Sequence, residues 1–411
     1  MSPLARAAIH GWALRTPLGS EPEVLLARLL AGERAASPCP MYDASSYPCS
    51  LAAAIPVPPL ASRRRKFLPR MGLYAVEVGV AALAQARLRV PQLATLAPER
   101  LGLFFGYGGL RAPWDELMVA MAEQRSDLEA SWERGLRHLH PFFMLQQLSN
   151  NAHALCAEEV LAHGEGVTLS GPNAGAQALA SATAALAAGA VDAALCVAYD
   201  SLLAPEVLIE QGLRGALTAA RTVEELRAPY DPEAAGAVPG EAAAALVLVR
   251  EDWPMAPLAY VRAADGADAG AGGQQGPAGR TLARLAQLVL TGPVSVVDGA
   301  AQAVSAADRA ELAALESAEI LTADARLTAT LGSLGQVGAA APLVQAIALA
   351  TALRAGQLPP VAGLAAGRAA GAVRLATGAM ATAARAALAL SAGARGFGGA
   401  VGIEIEGASH G

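Results

Sequence analysis

Short, almost unbroken apolar runs alternate along this chain with longer stretches of Ala, Gly, Ser and Thr. LGLFFGYGGL (101–110), AALCVAYDS (193–201) and AAAALVLVR (242–250) are strand-length and carry no polar alternation, the pattern of strands covered on both faces. AGAQALASATAALAAGA (174–190) is helix-length and apolar on every side, so it must be covered all round. The same order returns later as VSVVDGA (294–300), a small-residue helix near AAAPLVQAIALATAL (339–353), ARAALALSAGA (384–394) and AVGIEIEG (400–407). This weak duplication predicts an α/β protein of two similar halves, with one apolar helix from each half in a central layer between two sheets. Ala and Gly in those helices let sheets and helices approach closely.

Two uncharged windows, Gly166 to Val191 and Leu327 to Leu353, are long enough to span a bilayer. Their Ala, Gly, Ser and Thr content, with Gln177, Gln336, Gln345 and Pro342 inside, predicts buried core helices instead. The N-terminus has no basic start followed by a sustained apolar run and a cleavage site, so it reads as mature sequence of a cytoplasmic protein. At 411 residues, 54% hydrophobic and 16% charged, the chain has enough apolar content for one large or two fused domains and is not disordered. A net charge of -6 and 4% aromatic residues exclude a phosphate-backbone binder or base-stacking surface as the expectation, so no nucleic-acid partner is expected. Cys39, Cys49, Cys156 and Cys196 form no CxxC pair and have no His at ligand spacing, which predicts neither a zinc site nor a disulfide framework.

Few residues carry chemistry on their own. Gly396, Gly398 and Gly399 around Phe397 can adopt backbone conformations closed to residues with a Cβ, which suits either a loop approaching a substrate or an ordinary turn. Asp231 and Glu241 read as hydrogen-bond acceptors for loop backbone, since no His or Lys adjoins them. Arg63, Arg64, Arg65 and Lys66 form the one basic cluster, either solvated surface or a dock for an acidic partner. Gly266 to Gly279 is Gly-rich and reads as a surface loop.

Four segments, in order and spacing, resemble the β-ketoacyl synthases among the condensing enzymes: IHGWALRTPLGSEPEVLLARLLAGE (9–33), HPFFMLQQLSNNAHA (140–154), APYDPEAAGAVPGEAAAALVL (228–248) and RGFGG (395–399). The resemblance runs nearly end to end. It implies the thiolase fold, with two βαβαβαββ halves stacked as α-β-α-β-α, here 1–253 and 254–411, and it implies no cofactor and no metal. Enzymes of this type need a cysteine at the N-terminus of the buried helix, where the helix dipole favours thiolate, and two histidines to polarise a thioester and hold the enolate. Anchored on the helix ending at Ala188-Gly189, the family pattern puts Pro172 at the cysteine position. Anchored on Arg309-Ala310-Glu311, it puts Ala300-Ala301-Gln302 on the "HGT" motif. Anchored on Leu358-Pro359-Pro360, it puts Leu331 at the lysine and Gln336 at the second histidine. The four reactive positions thus hold Pro172, Ala300, Leu331 and Gln336, and no catalytic residue is expected.

That pattern resembles the chain length factors, non-catalytic subunits that pair with an active ketosynthase in type II polyketide, aryl-polyene or fatty-acid-like biosynthesis; those of aromatic polyketide systems usually carry Gln where this chain has Pro172. A divergent acyl carrier protein-dependent synthase with relocated residues and a homodimeric thiolase-fold pseudoenzyme are the alternatives. The resemblance implies a partner interface through Phe142, Phe143, Met144 and Leu148, and an acyl carrier protein as a further partner, for which the basic cluster Arg63, Arg64, Arg65 and Lys66 is a candidate dock. It also implies that the acyl tunnel is closed just after the glycine turn, by Leu110, Pro113, Trp114, Leu117 and Met118. With Pro113 at a first helical position, Trp114, Leu117 and Met118 fall at i, i+3 and i+4 on one face.

Overall fold

A computed structural model gives the fold and describes residues 4–61, 63–111, 117, 137, 139–267, 279–365, 369–370, 373–393 and 396–406. In the first half, strands β1 (Ala7–Arg15), β2 (Leu101–Tyr107), β3 (Gly166–Ser170), β4 (Ala193–Ser201) and β5 (Glu241–Arg250) run with helices α1 (Pro22–Leu30), α2 (Arg70–Arg89), α3 (Asn151–Val160), α4 (Ala174–Ala187) and α5 (Pro205–Leu213). The second half contributes β6 (Ala259–Ala267), α6 (Gly279–Val289), β7 (Val294–Asp298), α7 (Ser305–Ser317), β8 (Leu321–Thr328), α8 (Ala341–Ala355), β9 (Ala369–Ala370), β10 (Val373–Leu375), β11 (Ala386–Ala392) and β12 (Phe397–Glu404).

The strands hydrogen-bond in the order β9-β10-β8-β7-β11-β12-β6-β1-β5-β4-β2-β3. Within it the halves mirror each other: β2 lies parallel to β3 and β4, and β7 parallel to β8 and β11, while β5 and β12 are antiparallel to their neighbours. The halves meet at a short seam where Ala7, Ala8 and Ile9 of β1 pair with Val261, Tyr260 and Ala259 of β6. Helices α2 and α3 cover the outer face of the first half, α6 and α7 that of the second, and α4 and α8 touch strands of both. This is the five-layer α-β-α-β-α sandwich of the thiolase fold.

The two apolar windows became the inner helices. Every residue from Ala341 to Leu353 is buried, and although Gly338–Ala355 is long and apolar enough to cross a membrane, 83% of it lies inside the protein. Strand β5 is buried on both faces from Glu241 to Val249, which explains its unbroken apolar run.

Glycines set how closely these layers stack. A Cβ on Gly106 of β2 would lie 2.4 Å from the Ala174 carbonyl oxygen, and one on Gly175 would lie 2.0 Å from that of Ala339. The first turn of α4 is therefore wedged between β2 and the Gly338–Ala340 turn that leads into α8. Loops from the two halves meet there. Gly175→Ala should lower stability by about 1–3 kcal/mol, the usual cost of overpacking, whereas Gly292→Ala, with nothing within 4 Å, should leave the chemical-denaturation midpoint almost unchanged.

Candidate active site

Helix α4 starts at Ala174, with Asn173 in the capping position and Pro172 just before it. Gly171 adopts φ +128°, turning the chain from β3 into the helix. Pro172 thus stands at the positive end of a buried helix, where an anion would be favoured, but it offers neither a nucleophile nor an N–H. It lines a cavity of about 330 Å³ together with Gln302, Gln336, Gly338, Gly393 and Phe397. A Cβ on Gly393 would come within 2.4 Å of the Pro172 ring, so the turn after β11 closes directly on the proline.

The positions assigned to the two histidines are in contact. The Gln336 amide donates to the carbonyls of Ala300 (3.2 Å) and Ala301 (2.7 Å). Ala300 is fully buried, and Leu331, 2% exposed, is packed inside the short helix Thr330–Leu334. Three of the four expected positions, Pro172, Ala300 and Gln336, therefore converge on one place. Leu331 lies behind it in the core.

The loop 299–303 is held by a buried polar clamp that sequence reasoning missed. Glu311 of α7 accepts from the Ala300 N–H at 2.9 Å, the Tyr230 hydroxyl donates to Glu311 at 3.2 Å, and that hydroxyl accepts from the Ala301 N–H at 3.2 Å. Asp308 accepts from the Tyr230 N–H at 2.9 Å. A Cβ on Gly299 would strike the Tyr230 hydroxyl. Ala301 (φ +48°), Ala303 (φ +50°) and Tyr230 (φ +65°) sit in the left-handed region that favours glycine, so the clamp keeps a strained loop in shape. Burial pushes the Glu311 carboxyl up to about 8 from its ordinary 4.5, and the Asp308 and Asp298 carboxyls up to about 6.

No cysteine or histidine lines the cavity among the described residues. Cys196 is wholly buried on β4, where desolvation drives its thiol pKa far up. His10 is enclosed in β1 and pushed down to about 4 by burial and by Arg89. His153 stacks on Phe105 at 5.2 Å and meets the Thr168 hydroxyl at 2.9 Å.

The N-terminal domain of β-ketoacyl synthases matches residues 5–252 and their C-terminal domain residues 264–365. The chain belongs to the β-ketoacyl synthase family. Its fold matches a β-ketoacyl synthase from Burkholderia phymatum STM815 at TM-score 0.83 and 20% identity, over 98% of this chain and 100% of that one. The ishigamide ketosynthase/chain length factor matches at TM-score 0.80 and 21% identity, and a type II polyketide synthase acyl-carrier protein in complex with its ketosynthase bound to the hexaketide (AntDE:AntF) at 0.77 and 17%. Both cover 98% of this chain and 100% of theirs. No curated protein matches the sequence.

For a ketosynthase-family chain, the glycine loop is only partly a matter of backbone freedom. Gly396 has φ +79°, but Gly398 and Gly399 are ordinary strand residues of β12 paired with Ala392 and Ser391. Gly399 is needed for space, since a Cβ there would lie 2.6 Å from that of Ala176. Glu241 is structural as expected, accepting from the Ile55 N–H (2.9 Å), the Ser201 hydroxyl (2.9 Å) and Arg70. Asp231 accepts from the Glu233 N–H.

The segment expected at a partner interface is displayed rather than packed away. Met144 is 72% and Leu148 49% exposed, while Phe142 and Phe143 are half-buried. Phe142 packs edge-on against Phe67 at 5.0 Å, and the Lys66 ammonium lies 4.8 Å from the Phe67 ring and 5.7 Å from that of Phe142. The basic turn Arg63–Lys66 thus adjoins this segment; Arg63 and Lys66 are exposed. Leu110 is 54% exposed and Leu117 half-buried. Pro113, Trp114 and Met118 lie outside the described residues.

Because Glu311 binds its proton more tightly folded than unfolded, its contribution to stability is complete below pH 4.5 and drains away as pH rises through 8. Glu311→Gln, which mimics the protonated acid, should flatten that decline, so that its stability relative to wild type improves steadily from pH 5 to pH 8.5 in denaturant titrations. A constant difference across that range would show that Glu311 is ionised in the folded protein.

Proposed function

We propose that this chain is a non-catalytic ketosynthase-like subunit of the chain length factor type, pairing with an active ketosynthase and walling part of its acyl tunnel. The observation that carries this reading is the cavity at the head of α4. Pro172 and Gln336 line it and the Gln336 amide donates to the Ala300 carbonyl; the family pattern assigns a thiol and two imidazoles to these three positions. Claisen condensation needs a nucleophile to hold one acyl group and donors that stabilise the enolate of the other. A proline, a methyl group and an amide already committed to two carbonyls supply neither.

The surface supports assembly with a second subunit. Met144, Leu145 and Leu148 stand out as exposed apolar side chains on one segment, and Leu148 lines the same cavity as the exposed Leu60 and Leu110, a grouping a lone protein does not leave bare without reason. Strand β3 ends the sheet, and its outer edge has no strand partner among the described residues, so a partner's strand can extend it. Next to this face lies a larger, mostly apolar cavity of about 760 Å³ whose wall includes Leu68, Leu73, Tyr107, Leu110, Leu148 and Leu203. In this reading Leu110 flanks its mouth, the growing chain enters from the partner, and an acidic acyl carrier protein approaches over Arg63 and Lys66.

Two measurements test it. Incubated alone with acyl and malonyl carrier protein, the chain should give no covalent adduct in intact-mass spectra; an acyl group on Cys39, Cys49, Cys156 or Cys196 would instead mark a synthase with a relocated nucleophile. Co-expressed with a ketosynthase retaining its cysteine and both histidines, it should purify as a 1:1 complex. A double Met144→Asp, Leu148→Asp variant should lose that partner by at least tenfold in affinity, about 1.4 kcal/mol, with its own melting temperature unchanged. Normal association of the variant would refute the interface.

A further inference from the structure

The two cavities are separate rooms with one common wall. Gly108, Arg111 and Asp200 line both. Gly108 is backbone only, so the partition is made by two charged side chains. Asp200 is the penultimate residue of β4 and is 4% exposed, and three donors converge on its carboxylate: its neighbour's N–H at Ser201 (2.8 Å), the Ala339 N–H (3.1 Å) and the Arg111 guanidinium (2.8 Å). A Cβ on Gly108 or on Gly338 would collide with that carboxylate, so the surrounding backbone leaves room for this side chain and for nothing beside it. Arg111 reaches it because Gly109, at φ +119°, turns the chain back after β2, and the guanidinium is fixed a second time by donating to the Ser201 carbonyl at 3.1 Å.

We infer that the Arg111–Asp200 ion pair is the end wall of the larger groove, stopping an uncharged linear acyl chain there and shutting it out of the degenerate site around Pro172. The occupant follows from the lining. The charges that face the groove among the described residues are neutralised within the protein, Arg70 by Glu241 and Arg111 by Asp200, so none of these ions is left free to receive a charged ligand, and the groove continues into the exposed apolar segment at Leu148. A hydrocarbon end gains from each methylene placed against the apolar walls. At the partition that gain stops, because further advance requires separating two ions in a water-poor site and stripping the carboxylate of its donors. Leu110, by contrast, is half in solvent and belongs to the mouth, so truncating it changes how firmly a chain is held and not how far it goes.

The acyl occupant rests on the partner-subunit reading, but the wall can be tested without a partner. Linear alkanols from hexanol to hexadecanol are titrated against the isolated chain carrying the uncharged fluorophore N-phenyl-1-naphthylamine. In wild type, affinity should rise about fourfold per methylene and then level off at a defined length. In Arg111→Ala the rise should continue for at least two further methylenes, and in Leu110→Ala all affinities should fall with the limit unmoved. Arg111→Met, which keeps the aliphatic stem without the charge, serves if the alanine variant does not fold, and should also move the limit outward. An unchanged limit in a folded Arg111 variant overturns the inference, as does a wild-type series that shows no binding or no limit. In the reconstituted complex the same substitution should lengthen the product by at least one two-carbon unit. Failure of the complex to assemble, with the alkanol limit still shifted, would refute the partner reading and leave the wall standing.

Discussion

The structure depends on how closely backbone can approach backbone at the head of α4. Gly106 lies on Ala174, and Gly175 on Ala339, at separations where a methyl group has no place. Because those contacts are backbone to backbone, the neighbouring side chains can be small, and the inner helices need little more than Ala. A buried methyl contributes far less than a Leu side chain, about 0.8 kcal/mol per carbon, so such a core gains its stability from number and fit. The same closeness brings the 299–303 loop, Gln336 and Pro172 to one cavity. Packing and site share one cause.

The loop beside the cavity is held by a scaffold of its own. Tyr230, Glu311 and Asp308 still hold the loop, although the residues they hold include two alanines in a conformation costing roughly 1–2 kcal/mol each for an L-residue. The clamp's own acids are buried at some electrostatic cost, seen in the raised Glu311 and Asp308 carboxyls. Several hydrogen bonds to backbone offset both costs. The clamp therefore serves the shape of the loop independently of any histidine on it.

The architecture was legible because its signals are local. Strands such as Ala242 to Val249 are too short and too apolar to be anything but doubly covered, and the two inner helices are apolar on every face. Motif order singled out Pro172, Ala300 and Gln336; in the fold Pro172 and Gln336 line one cavity and Gln336 donates to the Ala300 carbonyl. The clamp could not be read in advance, since Tyr230, Asp308 and Glu311 look like ordinary polar residues until folding removes their water. Arg111 and Asp200 left a fainter trace: Asp200 is the one charged residue of its strand, and Arg111 stands two residues after a double glycine. Sequence reasoning took the Arg63 to Lys66 run and the HPFFMLQQLSN segment as two unrelated features. Only the fold sets Lys66 over the rings of Phe67 and Phe142.

That contact makes the molecule chemically addressable. Lys66 is the one lysine among 30 basic residues, so the chain carries a single side-chain amine, and that amine stands at the rim of the exposed apolar segment. Amine-directed reagents such as isotopic acetylating agents, short crosslinkers or dyes therefore modify one side chain at one defined place. Protection of that amine on mixing with another protein reads occupancy of the face directly, and a crosslink from it names the surface that arrived.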